Sequence, residues 1–180
     1  MCRLPGTMQV NLAACPVRVA SLVSALVLAS CASSGPPPKS QPSPLLSRVL
    51  PSFEGKTLNL TPFDSAQADG RPMIVKFFSS DCNRCKSTLP ALERIHEDNK
   101  DVLVVGVAED ESATEARRLV QNLGVRFPVI HDPTGDLAKR YRVAQMPMTF
   151  VIAPNGSVNW VGGPEQTEDG VRAAVSAVID

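Results

Sequence analysis

Net charge is the first thing this chain of 180 residues lacks: Lys and Arg total 18, and so do Asp and Glu. Such a balance offers no electrostatic case for nucleic acid, and none is expected as a partner. Acidic residues are missing altogether up to Arg48. Long apolar runs are missing too: the stretch 19–29 is apolar but falls short of the ~20 residues that a membrane-crossing helix needs. No internal repeat is visible, and histidine is limited to His96 and His131. His96 lies in a charged helical stretch and is expected in solvent. His131 lies in a turn over residues 131–135 and is expected to be structural. Neither is expected to hold a metal.

What is present at the N-terminus reads as a secretory signal. Arg3 and Arg18 precede the apolar stretch, which fits the h-region of such a signal. Leu28-Ala29-Ser30-Cys31 follows and resembles the lipobox of bacterial lipoproteins, in which the chain is cut before a cysteine that then carries lipid. The resemblance implies a signal peptide over residues 1–30 and a lipid anchor on Cys31. It places the rest of the chain in the bacterial cell envelope, facing the periplasm or exterior. The competing reading is an ordinary signal cut at a nearby small residue, with Cys31 incidental. Residues 31–45 are rich in Pro and Ser, with too few apolar groups to pack, and are expected to form an extended linker. At ~3.1 Å per residue in polyproline II geometry it reaches on the order of 40 Å.

The remaining residues, 46–180, are expected to form one domain. Apolar runs at 57–60, 73–78, 102–107, 127–130, 148–152 and 157–161 predict strands. Residues 82–98, 112–123, 136–141 and 168–179 predict helices, the second opened by the capping box Ser112-Ala113-Thr114-Glu115. Asn155-Gly156 is a hairpin turn between the last two strands. Strands alternating with helices predict an α/β fold, with a mixed central sheet flanked by helices on both faces.

Chemistry concentrates at Cys82-Asn83-Arg84-Cys85, between a buried strand and a helix. Two thiols three positions apart can close a disulfide, and a helix N-terminus favours thiolate at the first. The same spacing also supplies half of a zinc site. Of the five cysteines, Cys2 and Cys15 leave with the signal and Cys31 takes lipid. Only Cys82 and Cys85 remain, which excludes a disulfide framework and an all-cysteine zinc site within one chain.

Residues 75–90, with the CxxC and Pro90, are followed by 105–110, 127–132, Met146-Pro147 leading into a strand, and Pro154-Asn155-Gly156. In this order they resemble the thioredoxin superfamily, and within it the TlpA/ResA-like thiol–disulfide oxidoreductases. The resemblance implies a thioredoxin-like fold and Cys82 as attacking thiol. It also implies Cys85 as resolving thiol and Pro147 as a cis-proline facing the pair. A substrate segment would pair with the backbone exposed at Met146. No cofactor is expected beyond a redox-active Cys82–Cys85 disulfide. Expected partners are proteins bearing disulfides or thiols and an upstream membrane electron donor, with cytochrome c maturation or protection of protein thiols as settings.

Two residues depart from the family's usual pattern. Asp81 stands where an aromatic is usual and opposes thiolate formation at Cys82, while Arg84 favours it. At such distances in water each contributes about 1 kcal/mol or less. Lys76 stands where thioredoxins carry an acid. It is expected to run its stem along the core with the ammonium in water. The alternatives are a buried, partly neutral base or a charge that stabilises the Cys85 thiolate. Met146 and Met148 beside a dithiol also offer soft ligands, so a Cu(I)-binding metallochaperone on the same fold is the rival function.

Overall fold

A computed structural model describes residues 39–179. The expected signal peptide, the lipidated Cys31 and residues 31–38 of the linker lie outside the described residues. The later part of that linker is not free. Gln41 N–H donates to the Val161 carbonyl at 2.7 Å, and Val161 N–H donates to Ser40 Oγ at 2.9 Å. Leu46 then bridges to Val158, so the chain is laid along a sheet edge before residue 46. Through these hydrogen bonds it covers part of that edge.

The first strands are short. β1 (Glu54–Lys56) and β2 (Pro62–Asp64) form an antiparallel hairpin. The strand expected at 57–60 is instead the connection between them. Leu58 is buried and Leu60 exposed there, with Thr57 hydrogen-bonded to Thr61. The Thr57–Thr61 bond closes the chain back on itself, which an extended strand cannot do. Leu58 N–H donates to the Val129 carbonyl, tying this turn to the main sheet.

β3 (Met73–Phe78) is buried at every position, as its nearly unbroken apolar run requires of a central strand. It leads into α1 (Asn83–Asp98), which contains Pro90, then β4 (Leu103–Ala108) and α2 (Ala113–Asn122). Ser112 caps α2 by accepting from Thr114 N–H. β5 (Val129–His131) starts later than the apolar run at 127 suggests, because Phe127 turns into the core before the pairing begins. α3 (Asp136–Arg140), β6 (Met148–Ile152), β7 (Val158–Gly162) and α4 (Glu168–Ile179) complete the described chain.

The main sheet has the order β5-β4-β3-β6-β7. β3, β4 and β5 are parallel, whereas β6 runs antiparallel to β3 and β7 antiparallel to β6. Strand alternation divides the core. Ile74, Phe78, Val104 and Val151 face α1, α2 and α4, whereas Val75, Phe77, Val107 and Phe150 face α3 and the hairpin. The sheet is therefore mixed, with helices on both faces. Gly106 in β4 is required by close approach, since a Cβ there would lie 3.0 Å from the Phe78 ring.

Candidate active site

The strand β3 ends at Phe78, and residues 79–81 carry the chain from the C-terminal end of this central strand to Cys82, the N-cap of α1. Cys82 has extended backbone (φ −76°, ψ 104°), so its Sγ turns back and accepts from Cys85 N–H at 3.1 Å. One turn along, Cys85 is buried among Leu89, Leu92 and the strand residues below. The two sulfurs are joined in a disulfide, with Cα atoms 5.2 Å apart. Cys82 is half-buried and Cys85 fully buried, so partner chemistry reaches the first sulfur before the second. Beside them the Met146–Pro147 bond is cis, and Met146 packs at the edge of the same apolar cluster.

The charged neighbours are already engaged. Ser79 Oγ donates to Asp81 Oδ1 at 2.5 Å, and Arg84 Nη2 pairs with Glu165 Oε1 at 2.9 Å. Arg84 and Glu165 are both exposed, so this pair is worth at most about 1 kcal/mol. Its geometry nevertheless draws the guanidinium toward the loop before α4, not toward Cys82. Glu165 lies 81 residues away, so no local pattern marks it as the partner.

Lys76 departs from expectation. Its ammonium is not in water: the residue is 1% exposed, and Nζ donates to Thr149 Oγ1 at 3.1 Å. Burial pulls its pKa down from 10.5 to about 7, because the charged form loses hydration. It points to the α1–α4 side of β3, where it lines a cavity of about 20 Å³ with Thr88, Thr149 and Gln166. Gln166 Oε1 is buried there without a hydrogen-bond partner.

Other residues the sequence singled out resolve differently. Met148 packs on the opposite face with Phe77 and Phe150, away from Cys85, so it is core and cannot join a ligand set with the thiols. His96 is not a solvated residue: its ring is half-buried and meets Phe127 edge to face at 6.1 Å. His131 Nε2 lies 2.8 Å from the Asp110 carbonyl, a structural contact. Among the described residues no group of three or more His, Cys, Asp or Glu side chains is placed to hold a metal ion.

Two polar residues went unrecognised in the sequence. Glu93, 6% exposed, accepts from Arg126 N–H at 2.7 Å and so pins the entry to β5 against α1. Asp110, 7% exposed, accepts from Ser80 N–H at 2.9 Å and fixes the loop that carries Cys82. Nothing distinguishes Glu93 from the exposed acids of its helix. Asp110 closes the stretch 105–110 that carries the family resemblance, but nothing local shows that its carboxylate holds the loop before Cys82.

With this geometry in hand, known proteins give the context. The AhpC/TSA family profile matches residues 46–161. The chain is similar to the thiol–disulfide oxidoreductase ResA of Oceanobacillus iheyensis, 27% identical over 92 residues, covering 50% of this chain and 48% of that protein. It thus spans about half the length of that relative. It is also 26% identical to the soluble secreted antigen MPT53 of Mycobacterium tuberculosis over 128 residues, covering 70% of this chain and 74% of the relative. A crystal structure of a secreted M. tuberculosis disulfide oxidoreductase, homologous to E. coli DsbE, superposes with a TM-score of 0.65 at 26% identity. That match covers 69% of this chain and 95% of the other.

Proposed function

Because the chain belongs to the AhpC/TSA family and, by its relatives and its cysteine pair, is a thioredoxin-like redox enzyme, we propose that it reduces or exchanges disulfides in partner proteins outside the cytoplasm. The observation that carries this reading is the asymmetry of the pair: Cys82 half-exposed at a helix N-terminus, Cys85 buried one turn along. In the reduced state the Cys82 thiolate attacks one sulfur of a partner disulfide. That S–S bond breaks, the partner's other sulfur leaves as thiolate, and a mixed disulfide forms. Cys85, once deprotonated, attacks Cys82 Sγ, and the partner's second sulfur departs. Two electrons pass to the partner, its sulfurs take up the two protons, and the Cys82–Cys85 disulfide remains. The pair carries the electrons itself, with no further cofactor, and a membrane thiol donor restores it. The partner segment lies extended beside Met146, in the manner of an added strand.

The names of the relatives, one of them a secreted antigen, support a place in the envelope. Anchoring through lipid on Cys31 rests on the sequence around it.

The test is turnover of insulin or a model disulfide by the full chain, with dithiothreitol as donor. We expect Cys82→Ser to lose at least about 100-fold in rate, since the nucleophile is gone. Equal turnover by wild type and Cys82→Ser ends this reading. A reduction potential near roughly −270 mV marks a reductase and one near roughly −120 mV an oxidant.

A further inference from the structure

Beyond the sulfur chemistry lies a groove of about 450 Å³, open at the ends of β3 and β4. Its walls include Asp81, Glu109, Asp110, Glu111, Glu115 and Met146. It therefore begins at the residue before Cys82 and ends at the residue before Pro147, the two places a partner segment must touch. A chain with no net charge has gathered five carboxylates here. Among the described residues none of the five forms an ion pair.

Two of these carboxylates carry buried, unmatched oxygens. Asp110 is 7% exposed; its Oδ1 is used by Ser80 N–H, while Oδ2 has no hydrogen-bond partner. Glu109 Oε1 is likewise buried and unpartnered. Burial and the nearby Asp132 push the Glu109 carboxyl up to about 7, so this end of the groove resists further negative charge. A desolvated acceptor without a partner is costly to leave unmet. The carboxylates do not converge as a metal site does among the described residues. They are spread along a cleft, an arrangement that suits a long, multidonor cation such as a guanidinium.

We propose that this groove is a cation subsite, which takes an Arg or Lys side chain of the partner segment close to its disulfide, with the Asp110 carboxylate as the buried charge in its wall. The inference rests on the oxidoreductase reading above and adds to it a rule of substrate choice. Partner segments with a basic residue flanking the reactive cysteine dock beside Met146 and react faster than neutral ones.

The experiment uses the reduced full-length chain and two symmetrical peptide disulfides. One carries Arg beside its cysteine, and the other carries the uncharged isostere citrulline at the same place. At pH 8 and low salt the Arg peptide is expected to be reduced at least about ten-fold faster, the range of a charge-assisted hydrogen bond. That ratio shrinks as salt screens the groove. Asp110→Asn keeps an amide oxygen for Ser80 N–H and removes the charge, and it brings the ratio toward one. The exposed double variant Glu111→Gln with Glu115→Gln, which leaves the Cys82 loop untouched, lowers the ratio by a smaller factor. Equal rates for the two peptides in wild type overturn the subsite while the oxidoreductase reading stands. A ratio unchanged in both variants overturns it as well. If neither peptide is reduced, the oxidoreductase reading falls and the subsite with it.

Discussion

On one face of the central sheet, Phe77, Tyr141 and Phe150 meet ring to ring at 5.1 to 5.8 Å, and Phe53 and Phe63 extend the group. On the other face the packing is mainly aliphatic and holds Cys85, Lys76, Thr149 and Glu93. Few aromatics are present in the whole chain, and five of them are spent on the face away from the cysteines. Offset and edge-on rings bury large area at low conformational cost. The sheet is thus braced from one side while its other side tolerates buried polar groups around the dithiol. Stability and redox chemistry are divided between two faces of the same strands.

The comparison breaks most sharply at Phe150. Phe150→Ala removes a fully buried ring that touches both Phe77 and Tyr141. It should cost about 3–5 kcal/mol of stability in denaturant unfolding. The Cys82–Cys85 potential should stay within about 30 mV of wild type, equivalent to roughly 1.4 kcal/mol. A large shift in potential with this variant would show that the two faces are not separable.

Lys76 probes the other face. The unfolded chain holds the lysine proton up to about 10.5, while the folded chain gives it up near 7. Between those values the unfolded state binds more protons, so stability rises with pH. The burial penalty is full below pH 7 and is relieved as pH climbs toward 10.5. Lys76→Met removes the titrating group, so its stability relative to wild type should be most favourable near pH 6 and should decline by pH 9. Over the two units from pH 7 to 9 the decline is on the order of 2–3 kcal/mol, read from urea midpoints. A flat difference across pH would mean that Lys76 reaches water. Titrating both thiols in the same variant asks separately whether the lysine acts on Cys85.

Much of this division could be read from the sequence, and the unread part has physical causes. The continuous apolar runs of β3 and β4, the CxxC at a helix start and Pro147 before a strand are local signals, and each lies where its local pattern puts it. Lys76 is different. A lysine stem packs identically whether its ammonium reaches water or not, and the partner that holds it, Thr149, is 73 residues away. The turn at Thr57–Leu60 resembles a strand in sequence because Leu58 and Leu60 alternate with polar residues, while the hydrogen bonds that close it come from Thr57 and Thr61 side chains and backbone. The groove has no local signal because it is assembled from four places: residues 79–81, residues 109–111, Glu115 and Met146.

At the end of β4, beside the start of α3, the smallest effect is expected, with the opposite sign. Glu109 has a folded pKa near 7 against 4.5 when free, raised by burial and by Asp132. Between those values the folded state holds the extra proton, so stability falls as pH rises through the window. Glu109→Gln should therefore match wild type near pH 4 and exceed it at pH 8. The side chain is only half-buried, and solvent screening holds the gain below about 1 kcal/mol. For a domain of this size that is a melting shift of about 2–4 °C or less, measurable by calorimetry at the two pH values. Lys76 and Glu109 thus titrate in the same neutral region with opposite slopes, one beneath α1 and one beside the start of α3. A Lys76→Met, Glu109→Gln double variant whose two pH-dependent changes add would place them in independent environments. Failure to add would mean that the buried cation and the acidic groove sense each other through the α1 N-terminus that holds the cysteines.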